Sequence, residues 1–215
     1  MFFDFTNPLA FFIYFFALVF AITIHEFSHA WMANYLGDPT AKYEGRVSLN
    51  PFVHLDLIGT LMLFLVGIGW GKPVPVNPAN FHHSKRDQAK VAFAGPFSNL
   101  ITAFFISIPY KYLPQTMEGS IFFLFMANLF EVSILLFIFN MFPFPPLDGS
   151  KFIGLIIPKR WHYLYDRFLD EGMKYFVFFL FIDVFILGRY FNYSILNKVI
   201  WDLYEYISAI ILLGT

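Results

Sequence analysis

Apolar residues occupy long unbroken runs in this chain, and polar residues gather between the runs. The first run covers residues 9–36 and ends at Gly37-Asp38-Pro39. At about 1.5 Å per residue, a helix of that length exceeds the ~30 Å hydrocarbon core of a bilayer, so its last turns reach the interface. Two further runs, 89–110 and 120–142, have spanning length, and two more close the chain near 173–190 and 195–213. The run at 55–70 is shorter and is broken by Gly59, Gly67 and Gly69, which suits a re-entrant segment. Alternation over residues 41–49 predicts short strands that pair as a hairpin at the membrane edge. Residues 71–78 contain Pro73, Pro75 and Pro78, too many for a helix. Residues 150–172 read as a charged amphipathic connector. The pattern predicts an all-α, polytopic transmembrane protein of about five full spans, one re-entrant segment and the short hairpin. Residues 1–155 form its core, and residues 156–215 add the connector and two C-terminal helices to the same domain.

Composition agrees with a membrane protein. Of the 215 residues, 58% are hydrophobic and 13% charged, against roughly 25% charged in soluble domains. The first run lacks a basic leader and is followed by no small-residue cleavage pattern, so it reads as an uncleaved helix. A net charge of −1 supplies no basic field for nucleic acid. With no cysteine, disulfides and thiolate ligands are excluded, and a transition metal must be held by His, Asp or Glu. If the N-terminus lies outside and the 55–70 segment does not cross, all 14 Lys and Arg fall on the inside face except Lys111, Arg189 and Lys198. That bias is the signature of a cytoplasmic face.

Against this background one polar cluster stands out. His25-Glu26-Phe27-Ser28-His29 interrupts the first apolar run. On a helix, positions i and i+4 share a face about 6 Å apart along the axis, so both imidazoles reach one metal ion. Glu26, beside His25, is placed to accept a proton from a metal-bound water. Ionisable groups inside an apolar helix are expensive, and a shared metal compensates all three. Zinc needs a third protein ligand and one open position. Asp148 is the best candidate for that ligand. It follows the helix-breaking prolines 143, 145 and 146 at the end of a span, and the topology brings it to the same face as His25 and His29.

These paired motifs resemble those of the site-2 protease family of intramembrane zinc proteases. The chain carries the family's H-E-x-x-H at residues 25–29. Its second motif is present as Asn140, Pro143, Pro146, Asp148 and Gly149. The Gly95-Pro96-x-x-Asn99 element and the 71–78 loop are similar to features of compact bacterial members, and the likeness covers residues 9–155. The resemblance implies a hydrolase, a zinc metalloendopeptidase, with His25, His29 and Asp148 on one catalytic Zn²⁺ and Glu26 as general base. A motif asparagine would hold substrate or the oxyanion, Asn140 first and Asn99 second, with helix–helix hydrogen bonding as the ordinary alternative for both. It further implies transmembrane segments of other proteins as substrates, the lipid bilayer as surroundings and a bacterial inner-membrane location. No inserted PDZ-like domain is present in the sequence. Other classes that would use the same residues are a membrane zinc transporter and a non-catalytic membrane scaffold. The 41–49 stretch is the expected place for an unwound substrate to pair.

Other polar residues invite weaker readings. Glu131 lies about 13 Å before Asn140 along its helix, outside reach of the metal, and suits polar packing or a water contact. Asp183 lies within a span without a cationic partner in the sequence. His54, His82, His83 and His162 lack ligand spacing and fit solvated or capping roles.

Overall fold

The structure is a computed structural model that describes residues 7–66 and 69–213. Among these residues all regular elements are helical. Helix α1 spans Pro8–Tyr35. The Asn7 side chain accepts the Ala10 amide at its start, and Pro8 sits in the first turn, where its missing N–H leaves no gap in the ladder. Next come a single turn, α2 (Thr40–Tyr43), and then α3 (Leu57–Val66), α4 (Ser84–Tyr112) and α5 (Ile121–Asn140). Helix α6 covers Asp148–Ile153. Helix α7 (His162–Phe181) runs through a π-helical turn (Ile182–Leu187) into α8 (Gly188–Phe191), and α9 covers Ile195–Ile211.

Three of these helices, α1, α4 and α5, are long and apolar enough to cross a membrane. They pack on one another and form the centre of the molecule. In lipid there is little hydrophobic drive between helices, so close approach of small residues matters most. Ala17, Ala21, Ala30 and Ala33 line the buried face of α1, while Ala89, Ala92, Gly95 and Ala103 line that of α4. Ala17 and Ala21 pack against Leu129 and Val132 of α5. Helix α9 covers the far side of α5, with Ile200, Tyr204 and Ile207 packed on Phe130, Ile134 and Ile138.

Cross-contacts give the directions. His25 meets Asn99 and His29 meets Val91, so α4 runs antiparallel to α1. The late turns of α1, the early turns of α4 and the end of α5 therefore gather at one end of the bundle. Gly149 lets α6 begin there, because a Cβ on it would lie 2.3 Å from the Met141 carbonyl. Its role is close approach of two backbones, since its φ is not positive.

Three expectations change. Residues 41–49 form no strands: Asp38 accepts hydrogen bonds from the Thr40 amide and hydroxyl, which starts the α2 turn instead. Gly45 then takes a positive φ of 69°, and Arg46 turns inward, fully buried, to donate to the carbonyls of Lys72 and Pro73. Among the described residues the pairing that does occur is one antiparallel bridge, Leu55 with Gly71. The boundary expected at residue 172 is also absent, because the helix continues over 162–191. Gly172 serves there to admit Pro145, whose ring would lie 2.7 Å from an added Cβ. Finally, His54 is fully buried, with Nε2 donating to the Ser48 carbonyl at 2.7 Å, instead of solvated. Burial lowers its pKa, in keeping with a neutral ring.

Between α2 and α4, helix α3 has ten residues, which rise about 15 Å, half the hydrocarbon thickness. Residues 67–68 of the expected re-entrant segment lie outside the described residues. Asp183, without a partner in the sequence pattern, gains one: it accepts from the Ser194 hydroxyl (2.6 Å) and the Ile195 amide (2.7 Å), capping α9.

Candidate metal centre

His25 and His29 stand one helical turn apart on the buried face of α1, with Nε2 atoms 3.0 Å from each other. Asp148, at the first position of α6, brings Oδ2 to 3.2 Å from His25 Nε2 and 3.1 Å from His29 Nε2. The outer nitrogens are both engaged. His25 Nδ1 lies 2.9 Å from Asn99 Oδ1, and His29 Nδ1 lies 2.7 Å from the Val91 carbonyl. A carbonyl oxygen only accepts, so His29 carries its proton on Nδ1. The Asn99 amide nitrogen faces the Ala21 carbonyl at 3.4 Å, which leaves its oxygen toward His25 and fixes the same tautomer there.

Both Nε2 atoms therefore present lone pairs to each other and to a carboxylate. Three such donors 3.0–3.2 Å apart repel unless a cation lies among them. A tetrahedral zinc with bonds of about 2.0–2.1 Å separates its ligands by about 3.3 Å, close to what is seen. His25, His29 and Asp148 thus form a group able to hold a metal ion. Gly95 of α4 closes the back of the site: a Cβ there would lie 2.3 Å from His29 Nε2 and 2.7 Å from His25 Nε2.

The front of the site opens into a cleft of about 430 Å³. Glu26, half-buried, shares it with the three metal-site residues, and so does Asn140. Leu136 and Phe139 of α5, Ile22 of α1 and the 69–78 segment supply its apolar walls. Asn140 donates one amide hydrogen to the Leu136 carbonyl of its own helix at 3.0 Å.

The chain is 35% identical over 186 residues to the Bacillus subtilis (strain 168) protein named "Putative zinc metalloprotease YwhC", a match spanning 84% of each chain. The chain belongs to this metalloprotease family. No family model and no solved structure matches it.

For a zinc metalloprotease of this kind, the sequence motifs and the geometry coincide at four residues: His25, Glu26, His29 and Asp148 line one cleft. Asn140 lines the same cleft. Asn99 is not among the residues that line it: it is fully buried, with its side-chain oxygen on His25 Nδ1, a hydrogen bond between α4 and α1 of the kind that was the ordinary alternative for it. Neither Glu131 nor Asp183 lines the cleft. Three contributors escaped the sequence reading. The Val91 carbonyl leaves no trace in side-chain patterns. Gly95 was visible only as part of the Gly95-Pro96 element. Lys151, one turn beyond Asp148, looked like an ordinary connector charge.

Proposed function

We propose that the chain is a zinc-dependent intramembrane endopeptidase of the site-2 protease type, cutting transmembrane segments of other membrane proteins. The observation that carries this reading is the convergence of His25, His29 and Asp148 beside Glu26 in a cleft between three apolar helices. His25 follows Pro8 by about 25 Å of helix and precedes the end of α1 by about 15 Å, a depth within the bilayer if α1 spans it.

In this reading His25, His29 and Asp148 hold Zn²⁺, and Asn99 and the Val91 carbonyl orient the two imidazoles. When bound, zinc polarises the scissile carbonyl and acidifies water toward neutrality. Glu26 accepts the proton and passes it to the leaving amine. Asn140, with one amide hydrogen and its carbonyl uncommitted to the Leu136 bond, contacts the substrate backbone or the developing oxyanion. The 69–78 wall, set by the Leu55–Gly71 bridge and by Arg46, is the better place for an extended substrate than residues 41–49. Helix α3 enters the membrane without crossing. The basic bias supports a cleft on the cytoplasmic side, and the resemblance supports a bacterial inner membrane as its setting.

Zinc content and cleavage measured together test the proposal. Purified wild-type protein should carry one zinc per chain and cut a transmembrane reporter, and chelation followed by added zinc should abolish and restore cutting. Replacing His29 with Ala should remove both zinc and activity. Stoichiometric zinc with no cleavage of any reporter would instead favour a transporter or a scaffold.

A further inference from the structure

The cleft walls change character along their length. Ile22 and Leu136 lie toward the bilayer interior on α1 and α5, whereas Gln88 is one turn from the start of α4 and Lys151 projects from α6. Lys151 is the one cation that lines the cleft among the described residues. It is exposed, and it also borders a small adjoining pocket with Lys85 and Asp166. Three carboxylates stand around it: Asp148 faces the two histidines, Asp166 is paired with Lys85 at 3.2 Å, and Glu26 lines the same cleft from α1 without an ion pair to Lys151 among the described residues. No ion pair of Lys151 itself occurs among the described residues.

Lys151 follows Asp148 by three residues, which sets it about 4.5 Å further along the same face of the helix. An extended peptide advances about 3.4 Å per residue. A substrate that runs from the metal centre along α6 therefore passes the backbone of Lys151 about one to two residues from its scissile bond, and the long side chain brings the ammonium within a few residues of the cut. There the ammonium forms no ion pair with a protein carboxylate among the described residues, at the boundary between apolar walls and water.

We propose that Lys151 is a specificity-determining residue that pairs with an acidic side chain of the substrate near the scissile bond. This rests on the peptidase reading above and names the substrate class it takes: apolar segments that carry a carboxylate within a few residues of the cut, at the outward end of the cleft. An exposed lysine at the end of a short helix also complements the helix dipole, but that interaction requires no acidic substrate and predicts no charge preference.

A reporter series tests it. Single Glu, Gln or Lys residues are placed at each position within four residues of the cut, and kcat/KM is measured for wild-type, Lys151→Arg and Lys151→Glu proteins in neutral-lipid vesicles, with zinc content read in parallel. Wild-type protein should prefer Glu over Gln by about three- to tenfold at one or two adjacent positions. Lys151→Arg should keep that preference, and Lys151→Glu should shift it to Lys while zinc content stays unchanged. Equal cleavage of all three reporters at every position by wild-type protein would overturn the inference and leave the peptidase reading intact. Loss of zinc in Lys151→Glu, or a requirement for anionic lipid without any reporter preference, would overturn it as well, assigning Lys151 to the metal site or to a lipid headgroup. Failure of wild-type protein to cut any reporter would overturn the peptidase reading itself.

Discussion

The Asn99 side-chain oxygen lies 2.9 Å from Nδ1 of His25, so a residue in the middle of α4 sets the tautomer and the ring angle of a metal-facing histidine on α1. Such an outer partner typically contributes 10- to 100-fold in metal affinity. Asn99→Leu, of the same branched outline but unable to accept, should weaken zinc binding by about that factor in a competition titration while the helical content holds. Unchanged affinity would show that the ring needs no such support.

Gly95 makes a sharper demand. An added methyl would lie 2.3 Å from His29 Nε2 and 2.7 Å from His25 Nε2, in a helix held by close Ala contacts. Gly95→Ala should therefore reduce zinc affinity and cleavage together by at least about tenfold, since overpacking costs about 1–3 kcal/mol. A fully loaded, fully active variant would mean that α4 moves away freely.

Much of this centre was legible before the fold was known, and for one reason: ionisable residues are conspicuous in apolar helices. His25, Glu26 and His29 at helical spacing, and Asp148 after a run of prolines, needed no tertiary information. Helices α1, α4 and α5 also fall within a few residues of the apolar runs. What escaped depended on contacts between elements. The Val91 carbonyl that anchors His29 has no side-chain signature. The alternation at 41–49 lost to two buried polar residues, Asp38 and Arg46, whose hydrogen bonds fix a turn. Asp183 found its partners more than ten residues on, beyond a π-helical turn that apolar periodicity does not reveal.

Asp38 gives the fold a pH-dependent part. Burial works against its carboxylate, but bonds from Thr40, Asn80 and the Asn77 amide outweigh burial and lower its pKa. A carboxylate with a depressed folded pKa contributes stability above the ordinary value near 4, and that contribution fades as the pH falls through the depressed value. Asp38→Asn should melt at a lower temperature than wild type at pH 7, and the gap should narrow between about pH 5 and pH 3. A constant gap over that range would rule out the carboxylate as its source.

The cap on α9 can be isolated from the active site. Asp183 accepts from Ser194 and the amides of Ile195 and Leu196, so Asp183→Ala leaves buried donors unpaired. Hydrogen exchange at Ile195 and Leu196 should accelerate, corresponding to a loss of about 1–2 kcal/mol, with zinc content unaffected. Wild-type exchange rates in the variant would contradict the capping role.

The account stands or falls on Glu26 acting on a peptide bond inside the bilayer. The direct measurement is mass spectrometry of a transmembrane reporter incubated in vesicles with wild-type protein or with Glu26→Gln, zinc being quantified in both. Two new termini within the reporter's apolar segment, formed by wild-type protein and absent with a fully zinc-loaded Glu26→Gln variant, are the predicted result. Equal amounts of the same products from both proteins, or cuts confined to the soluble flanks, would contradict it.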